Sequence, residues 1–378
     1  MTIVIISMIR DSWGGSEELW YEMAKIALKN GHRIIRIGYE TPSKHPKILE
    51  LEKLGMELYE RPGYVPASGP GIRKLIYIGK NFIRKKLNSP TKKVLSQHPD
   101  VVIYNGTCYS IAHEMELLKF LQTNQDTRFY IIGHLNNEFD SGINHDEAQR
   151  VRMAYELSKK VFFVSQRSLN TAKKQLGISI ENAEVIKNPI NLSSTNMIDF
   201  PSAEGLIQMA CVGNLVIKHK GQDLLFHALS KWENKDWVLN IYGNGYDMEY
   251  LVNLSRRLQL DKQIVFHGKT DDVRKIWQTN HVLAMPSIME GMPLALVEAM
   301  ICGRICIATD VGGIGEWVTD GENGFIIQAP TVPLILEGLN KAWNQKAAWK
   351  EISSKAHYTA MQRYDRNAGL TLLNKIVE

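Results

Sequence analysis

The chain has 378 residues, 44% hydrophobic and 22% charged, which is an ordinary globular composition long enough for two domains. No uninterrupted apolar run approaches the roughly 18 residues of a membrane-spanning helix, and the first apolar stretch is too short for a signal peptide, so a cytoplasmic protein is expected. The net charge of +5 is unevenly shared: residues 1–190 hold 27 Lys and Arg against 20 Asp and Glu (net +7), and residues 191–378 hold 18 against 20 (net −2).

Residues 2–7, TIVIIS, read as a buried parallel strand. The loop MIRDSWGGSEE follows, with Gly14 and Gly15, and Ser16 is placed to cap a helix running to Asn30 and ended by Gly31. Strand, glycine loop and helix start together make a corner suited to an anion. The loop is not GxGxxG, so a nicotinamide cofactor is not indicated. Residues 61–93 hold nine Lys and Arg and no acid. Within them, 72–87 spaces Ile72, Leu75, Ile76, Phe82, Ile83 and Leu87 as on a helix, with Arg73, Lys74, Lys80, Arg84, Lys85 and Lys86 between. Such a helix suits either an anionic membrane surface or a core-facing position with a solvated basic side. Aromatic interleaving is too sparse for nucleic acid. Strands at 101–105, 129–132 and 160–164 alternate with helices at 110–121 and 166–176, which argues for a parallel sheet covered on both faces. His134 lies just past one strand's C-terminal end, where such sheets place ligands, and Asn105, Gly106 and Thr107 lie at another.

The stretch 191–205 is polar, with Pro201 and Gly205, and reads as a linker. A second series begins near 206, with strands at 207–212, 238–242, 264–266, 282–285 and 305–309. Glycine turns at 243–245 and 312–313 punctuate it. After the strand at 282–285 come Pro286, Ser287 and a loop with Glu290, Gly291, Met292 and Pro293, then a helix from Leu294 to 302. Glu290 and Glu298 are eight residues apart, which on a helix is a rise of about 12 Å. That exceeds the roughly 5–9.5 Å between the paired carboxyls of a glycoside hydrolase, so the two are better placed to grip the ends of one extended ligand. Asp271 and Asp272 in HGKTDDVRKIW suit a solvated helix cap. The four cysteines form no CxxC pair and sit in apolar surroundings, as reduced buried thiols do.

The segment 290–325, EGMPLALVEAMICGRICIATDVGGIGEWVTDGENGF, resembles the donor-binding signature of the retaining, nucleotide-sugar-dependent glycosyltransferases of family 4 (glycosyl transferases group 1). GGSEELWYEMAKIALKNGHRI, IIGHLNNEF, VIKNPI and GNLVIKHKGQDLLFHAL resemble further segments of that family. The resemblance implies an α/β GT-B fold: a Rossmann-like acceptor domain at 1–192, a nucleotide-sugar domain at 206–356, the two facing across a cleft, and a final helix at 357–378 crossing back onto the first. It implies transfer of a sugar from a nucleoside-diphosphate sugar, UDP- or GDP-linked, to a glycan or lipid-linked acceptor with retention. The catalytic candidates are Glu290, His134 and Lys220. Donor-binding candidates are Gly14, Gly15, Asn214, Lys220, Thr270, Asp272, Lys275, Glu290, Gly291, Met292, Pro293, Leu294 and Glu298. By the resemblance Glu290 meets the sugar hydroxyls, Glu298 the ribose, and a basic pair the diphosphate. One of that pair is Lys220; the other, usually Arg, is Asn214 here, with Lys218 nearby. There is no D-x-D, so no metal and no cofactor are expected. A nucleotide-sugar hydrolase or epimerase, and a catalytically silent binding subunit, are the alternative readings; acceptor-dependent transfer separates them.

Overall fold

The computed structural model describes residues 1–62, 89–139, 143–202, 205–270 and 272–378. The basic segment 72–87 lies outside the described residues. The chain forms two compact units, one of Met1–Pro189 with Asp365–Glu378 and one of Ile190–Tyr364.

The first unit is built on seven strands: β1 (Thr2–Ser7), β2 (Arg33–Tyr39), β3 (Glu57–Arg61), β4 (Val101–Gly106), β5 (Arg128–Gly133), β6 (Lys160–Phe163) and β7 (Ala183–Val185). They pair in parallel in the order β3-β2-β1-β4-β5-β6-β7. The continuous apolar run in β1 follows from burial on both faces. Val4 and Ile6 enter one core, and Ile3 and Ile5 enter another with Leu19, Trp20 and Met23 of the helix Glu18–Lys29. The second unit has six strands: β8 (Ile207–Val212), β9 (Trp237–Tyr242), β10 (Ile264–Gly268), β11 (Val282–Met285), β12 (Ile305–Thr309) and β13 (Phe325–Ile327). They too are parallel, in the order β10-β9-β8-β11-β12-β13. In both sheets the order reverses once, at β1/β4 and at β8/β11. Each unit is thus a Rossmann-like sheet, as the resemblance to the GT-B fold implies. Among the described residues no helix is long and apolar enough to cross a membrane.

Several local expectations are corrected. Ser16 does not cap the first helix: a 3-10 turn, Gly15–Glu17, precedes it, and the Gly14 carbonyl accepts from the Glu17 amide at 3.0 Å. The helix expected at 110–121 is a 3-10 turn, Ser110–His113, and a separate helix, Met115–Thr123. They part at Glu114, whose backbone is not helical and whose carboxylate accepts from Arg61 at 2.7 Å. The single final helix is two, Trp349–Arg363 and Ala368–Val377. The break is set by Asp365, which accepts from the Asn367 amide at 2.8 Å and the Thr371 hydroxyl at 2.7 Å. The polar stretch after Asn191 is held on the second unit. Buried Arg304 donates to the carbonyls of Ile198 (3.1 Å) and Asp199 (2.9 Å), and Arg274 donates to those of Ser194 and Asn196.

The helix Ala368–Val377 buries Ala368, Leu372, Leu373 and Ile376 in the core that also takes Glu18–Lys29. Gly369 permits close approach: a Cβ there would lie 2.6 Å from Glu22 Cβ and 2.7 Å from its backbone carbonyl carbon. Gly369→Ala should therefore destabilise the protein by about 1–3 kcal/mol through overpacking. This outweighs the roughly 1 kcal/mol by which alanine favours a helix. Urea denaturation checks this; a stabilised variant would mean that the two helices do not pack this closely.

Candidate active site

The two units carry separate groups of candidate residues, centred on their own sheet's reversal point, although His134 follows β5 and Thr270, Asp272 and Lys275 follow the edge strand β10. In open α/β sheets the loops leaving the strands at this point part from one another and leave room for a ligand.

In the second unit the loop after β8 runs through Gly213 and Asn214 to a short helix, Ile217–Lys220. Gly221, at φ +61°, follows, and a Cβ there would lie 2.3 Å from the Pro286 carbonyl oxygen. The His219 carbonyl accepts from the amides of Ile288 (2.9 Å) and Met289 (3.1 Å). The loop after β8 is thus fastened to the loop after β11, which brings Lys220 and Glu290 together. Lys220 Nζ donates to Glu290 Oε1 at 2.6 Å, and Ser287 Oγ donates to the same oxygen at 2.7 Å. Glu290 is only 7% exposed, so the lysine also offsets the cost of holding a carboxylate away from water. Glu290 Oε2 has no protein hydrogen bond among the described residues.

Gly291 and Gly313 join this loop to the next, the Gly313 amide donating to the Gly291 carbonyl at 2.7 Å. Gly312, at φ +54°, lies so close that a Cβ would come within 2.0 Å of the Glu290 carbonyl oxygen. Met292 is buried. Pro293 stands at the N-cap of the helix Leu294–Ile301 and offers no side-chain cap. The Leu296 and Val297 amides donate to the Pro293 carbonyl at 3.2 and 3.4 Å, which leaves those of Leu294 and Ala295 without an acceptor among the described residues. Glu298 is on the same helix, buried, and accepts from the Asn191 amide at 2.9 Å. It is not part of the Lys220–Ser287–Glu290 group. Asn214 is exposed; its carbonyl accepts from the Val216 amide and from Gln222 Nε2. Thr270, Asp272 and Lys275 form a helix cap. Asp272 Oδ1 accepts from the Arg274 amide at 3.1 Å at the start of Val273–Thr279, and Lys275 lies 3.8 Å from the same carboxylate.

In the first unit Ser7 and Asn105 are register partners at the ends of β1 and β4. Gly14 is extended and close-packed, a Cβ there lying 2.7 Å from Ile9 Cδ1, and Gly15 begins the 3-10 turn. The turn delivers Glu17, which is fully buried. Its Oε2 accepts from Ser7 Oγ at 2.8 Å and lies 3.5 Å from Arg36 Nη2; its Oε1 accepts from Asn105 Nδ2 at 2.8 Å. Asn105 Oδ1 lies 2.8 Å from Nε2 of buried His134. Burial pushes the Glu17 carboxyl above its usual range, opposed by Arg36. Burial pushes the His134 imidazole down to about 3. Both shifts come from withdrawing the charged form from water. Sequence reasoning missed Glu17 and Ser7. An acid in a first helical turn reads as an ordinary helix start, and nothing in GGSEE marks Glu17 over Glu18. Among the described residues no group of three or more His, Cys, Asp or Glu is arranged to hold a metal.

The depressed His134 value makes a stability prediction. The unfolded chain, with histidine near 6.5, takes up this proton before the folded one, so stability is full above about pH 6.5 and falls as pH drops toward 3. Between pH 7.5 and 5.5 the loss from this residue is about 1.4 kcal/mol. His134→Gln should lose correspondingly less over that interval, whatever its stability at pH 7.5. Urea unfolding at both pH values checks this, and equal losses would contradict it.

Residues 194–360 match the family model of the glycosyl transferases group 1. An uncharacterized glycosyltransferase of Haemophilus influenzae is 30% identical over 148 residues, which is 38% of this chain and 42% of that protein. The N-acetyl-alpha-D-glucosaminyl L-malate synthase of Bacillus anthracis is 23% identical over 345 residues, 84% of this chain and 81% of that one. Among solved structures, Anabaena Alr3699/HepE in complex with UDP superposes with a TM-score of 0.74 at 18% identity, covering 100% of this chain and 98% of that chain. The glycosyl transferases group 1 pattern thus lies in the second unit, and along its whole length the chain shares the fold of the Anabaena protein.

Proposed function

We propose that the protein transfers a sugar from a nucleoside-diphosphate sugar to a glycan or lipid-linked acceptor, with retention of configuration and without a metal ion. The observation that carries this reading is the Lys220–Glu290 pair, held at the reversal point of the second sheet beside the uncapped start of the helix Leu294–Ile301. An ammonium and the amides of Leu294 and Ala295 suit the diphosphate, whose negative charge grows as it leaves. Glu290 Oε2 would accept from the donor sugar's hydroxyls, and Glu298 would meet the ribose. Thr270, Asp272 and Lys275 would contribute through the loop's backbone, since the Asp272 side chain caps a helix. The UDP bound by the Anabaena protein favours a uridine nucleotide here. A hexosyl donor and attack from the leaving-group face complete the reading. Gly14, Gly15 and His134 are further donor contacts that the family resemblance implies. The basic segment 72–87 would place the protein at an anionic, cytoplasm-facing membrane surface beside its acceptor.

Glu290→Gln and Lys220→Ala should each lower turnover at least about tenfold, a loss of about 1.4 kcal/mol in transition-state stabilisation. Transfer should persist in EDTA. Near-normal turnover in both variants would remove the pair from the site, and loss of both binding and transfer in EDTA would refute the metal-free reading. UDP at about 100 times its Kd should stabilise the fold by about 2.7 kcal/mol in a thermal-shift panel with GDP and ADP. Co-sedimentation with anionic liposomes should fall with salt and vanish when Arg84, Lys85 and Lys86 are all changed to Glu; no binding at low salt would point to a soluble acceptor.

A further inference from the structure

We propose that Glu17 and Asn105 are positioning residues that hold His134 in the tautomer protonated on Nε2, leaving Nδ1 to accept a hydrogen bond from a substrate hydroxyl. The argument begins at the amide of Asn105. Its Nδ2 donates to two groups, the Ser16 carbonyl at 3.2 Å and Glu17 Oε1 at 2.8 Å. A carbonyl oxygen only accepts, so turning the amide over would set two oxygens against each other. The Asn105 oxygen therefore faces His134 Nε2 at 2.8 Å. That oxygen carries no hydrogen, so the hydrogen of the contact belongs to the imidazole.

Glu17 is itself fixed from behind. Ser7 Oγ donates to its Oε2 at 2.8 Å, and the Arg36 guanidinium lies 3.5 Å away. Ser7 and Asn105 stand on register-paired positions of adjacent strands, so the sheet sets the spacing between the group that anchors Glu17 and the group that Glu17 orients. Ser16 and Glu17 belong to the turn that starts at the glycine loop. One short segment thus supplies both acceptors that keep the amide from turning. Nδ1 has no protein partner among the described residues. As a bare lone pair it attracts a hydroxyl hydrogen and repels a phosphate oxygen. His134 then reads a sugar hydroxyl and does not serve as a cation for the diphosphate. The identity of the ligand rests on the function proposed above, whereas the tautomer does not.

The test is a long-range proton–nitrogen NMR spectrum of the full chain labelled with 15N-histidine, at pH 7.5, with the His134 signal assigned by its loss in His134→Gln. A single Nε2-protonated tautomer is expected in the wild type. Asn105→Leu should give a mixture of tautomers, while Glu17→Gln, which keeps an oxygen acceptor for the Asn105 amide, should retain the wild-type form. A wild-type Nδ1-protonated ring overturns the proposal, and so does an unchanged single tautomer in Asn105→Leu. The wild-type spectrum needs no variant to fold. In turnover, Asn105→Leu should lower kcat by about tenfold, the scale of one hydrogen bond, with the donor KM within about twofold of wild type. A mixed tautomer with unchanged kcat would remove the substrate hydroxyl from the proposal and leave the positioning of His134 standing.

Discussion

A parallel sheet whose strand order reverses has one place where the loops leaving two adjacent strands turn apart, and both groups of candidate residues depend on that constraint. In the first unit the place is β1/β4, which sets Ser7 beside Asn105 and lets the turn after β1 return Glu17 between them. In the second it is β8/β11, where two backbone hydrogen bonds to the His219 carbonyl and the close approach allowed by Gly221 draw the parting loops of Lys220 and Glu290 back together. The chemistry at each point differs, but the strand order creates the space for both.

The two buried acids are handled in opposite ways. Glu17 is enclosed: a hydroxyl, an amide and, at 3.5 Å, the Arg36 guanidinium face it, and burial raises its pKa. Its oxygens are directed inward, at groups of the protein. Glu290 is paired directly with an ammonium and a hydroxyl on one oxygen, while the other oxygen carries no protein hydrogen bond among the described residues. A carboxylate in the first arrangement orients its neighbours, and one in the second has capacity left for a ligand. Glu298, on the following helix, holds the Asn191 amide with its Oε1.

Glycines make these loops narrow enough to meet. Gly221 and Gly312 both take positive φ, and both stand where a side chain would collide with the backbone of the loop carrying Glu290. Adding even a methyl group there would move the backbone that positions the carboxylate.

Much of this was legible in the residues. The apolar run of β1, the alternation of strands and helices, and the position of His134 beyond a strand end follow from period and burial, which act locally. The pattern around Glu290 marked the loop, because glycine, proline and acid at a helix start leave a local trace. Three features were not legible. The breaks at Glu114 and Asp365 depend on side chains that find partners across the fold or around a turn, and the helical pattern runs through them. The polar stretch after Asn191 reads as a linker, yet Arg304, about a hundred residues later, holds its carbonyls. Glu17 is invisible because its role is defined by Ser7, Arg36 and Asn105, which only strand pairing brings to it. The sequence by itself determined the two-sheet class of the fold and the loops that carry its chemistry, since periodicity, glycine and proline act over a few residues. Tertiary structure alone decided which acid keeps an oxygen clear of protein donors and which is sealed among a hydroxyl, an amide and a guanidinium. Those outcomes depend on desolvation and on distances of about 3 Å between groups far apart in the chain.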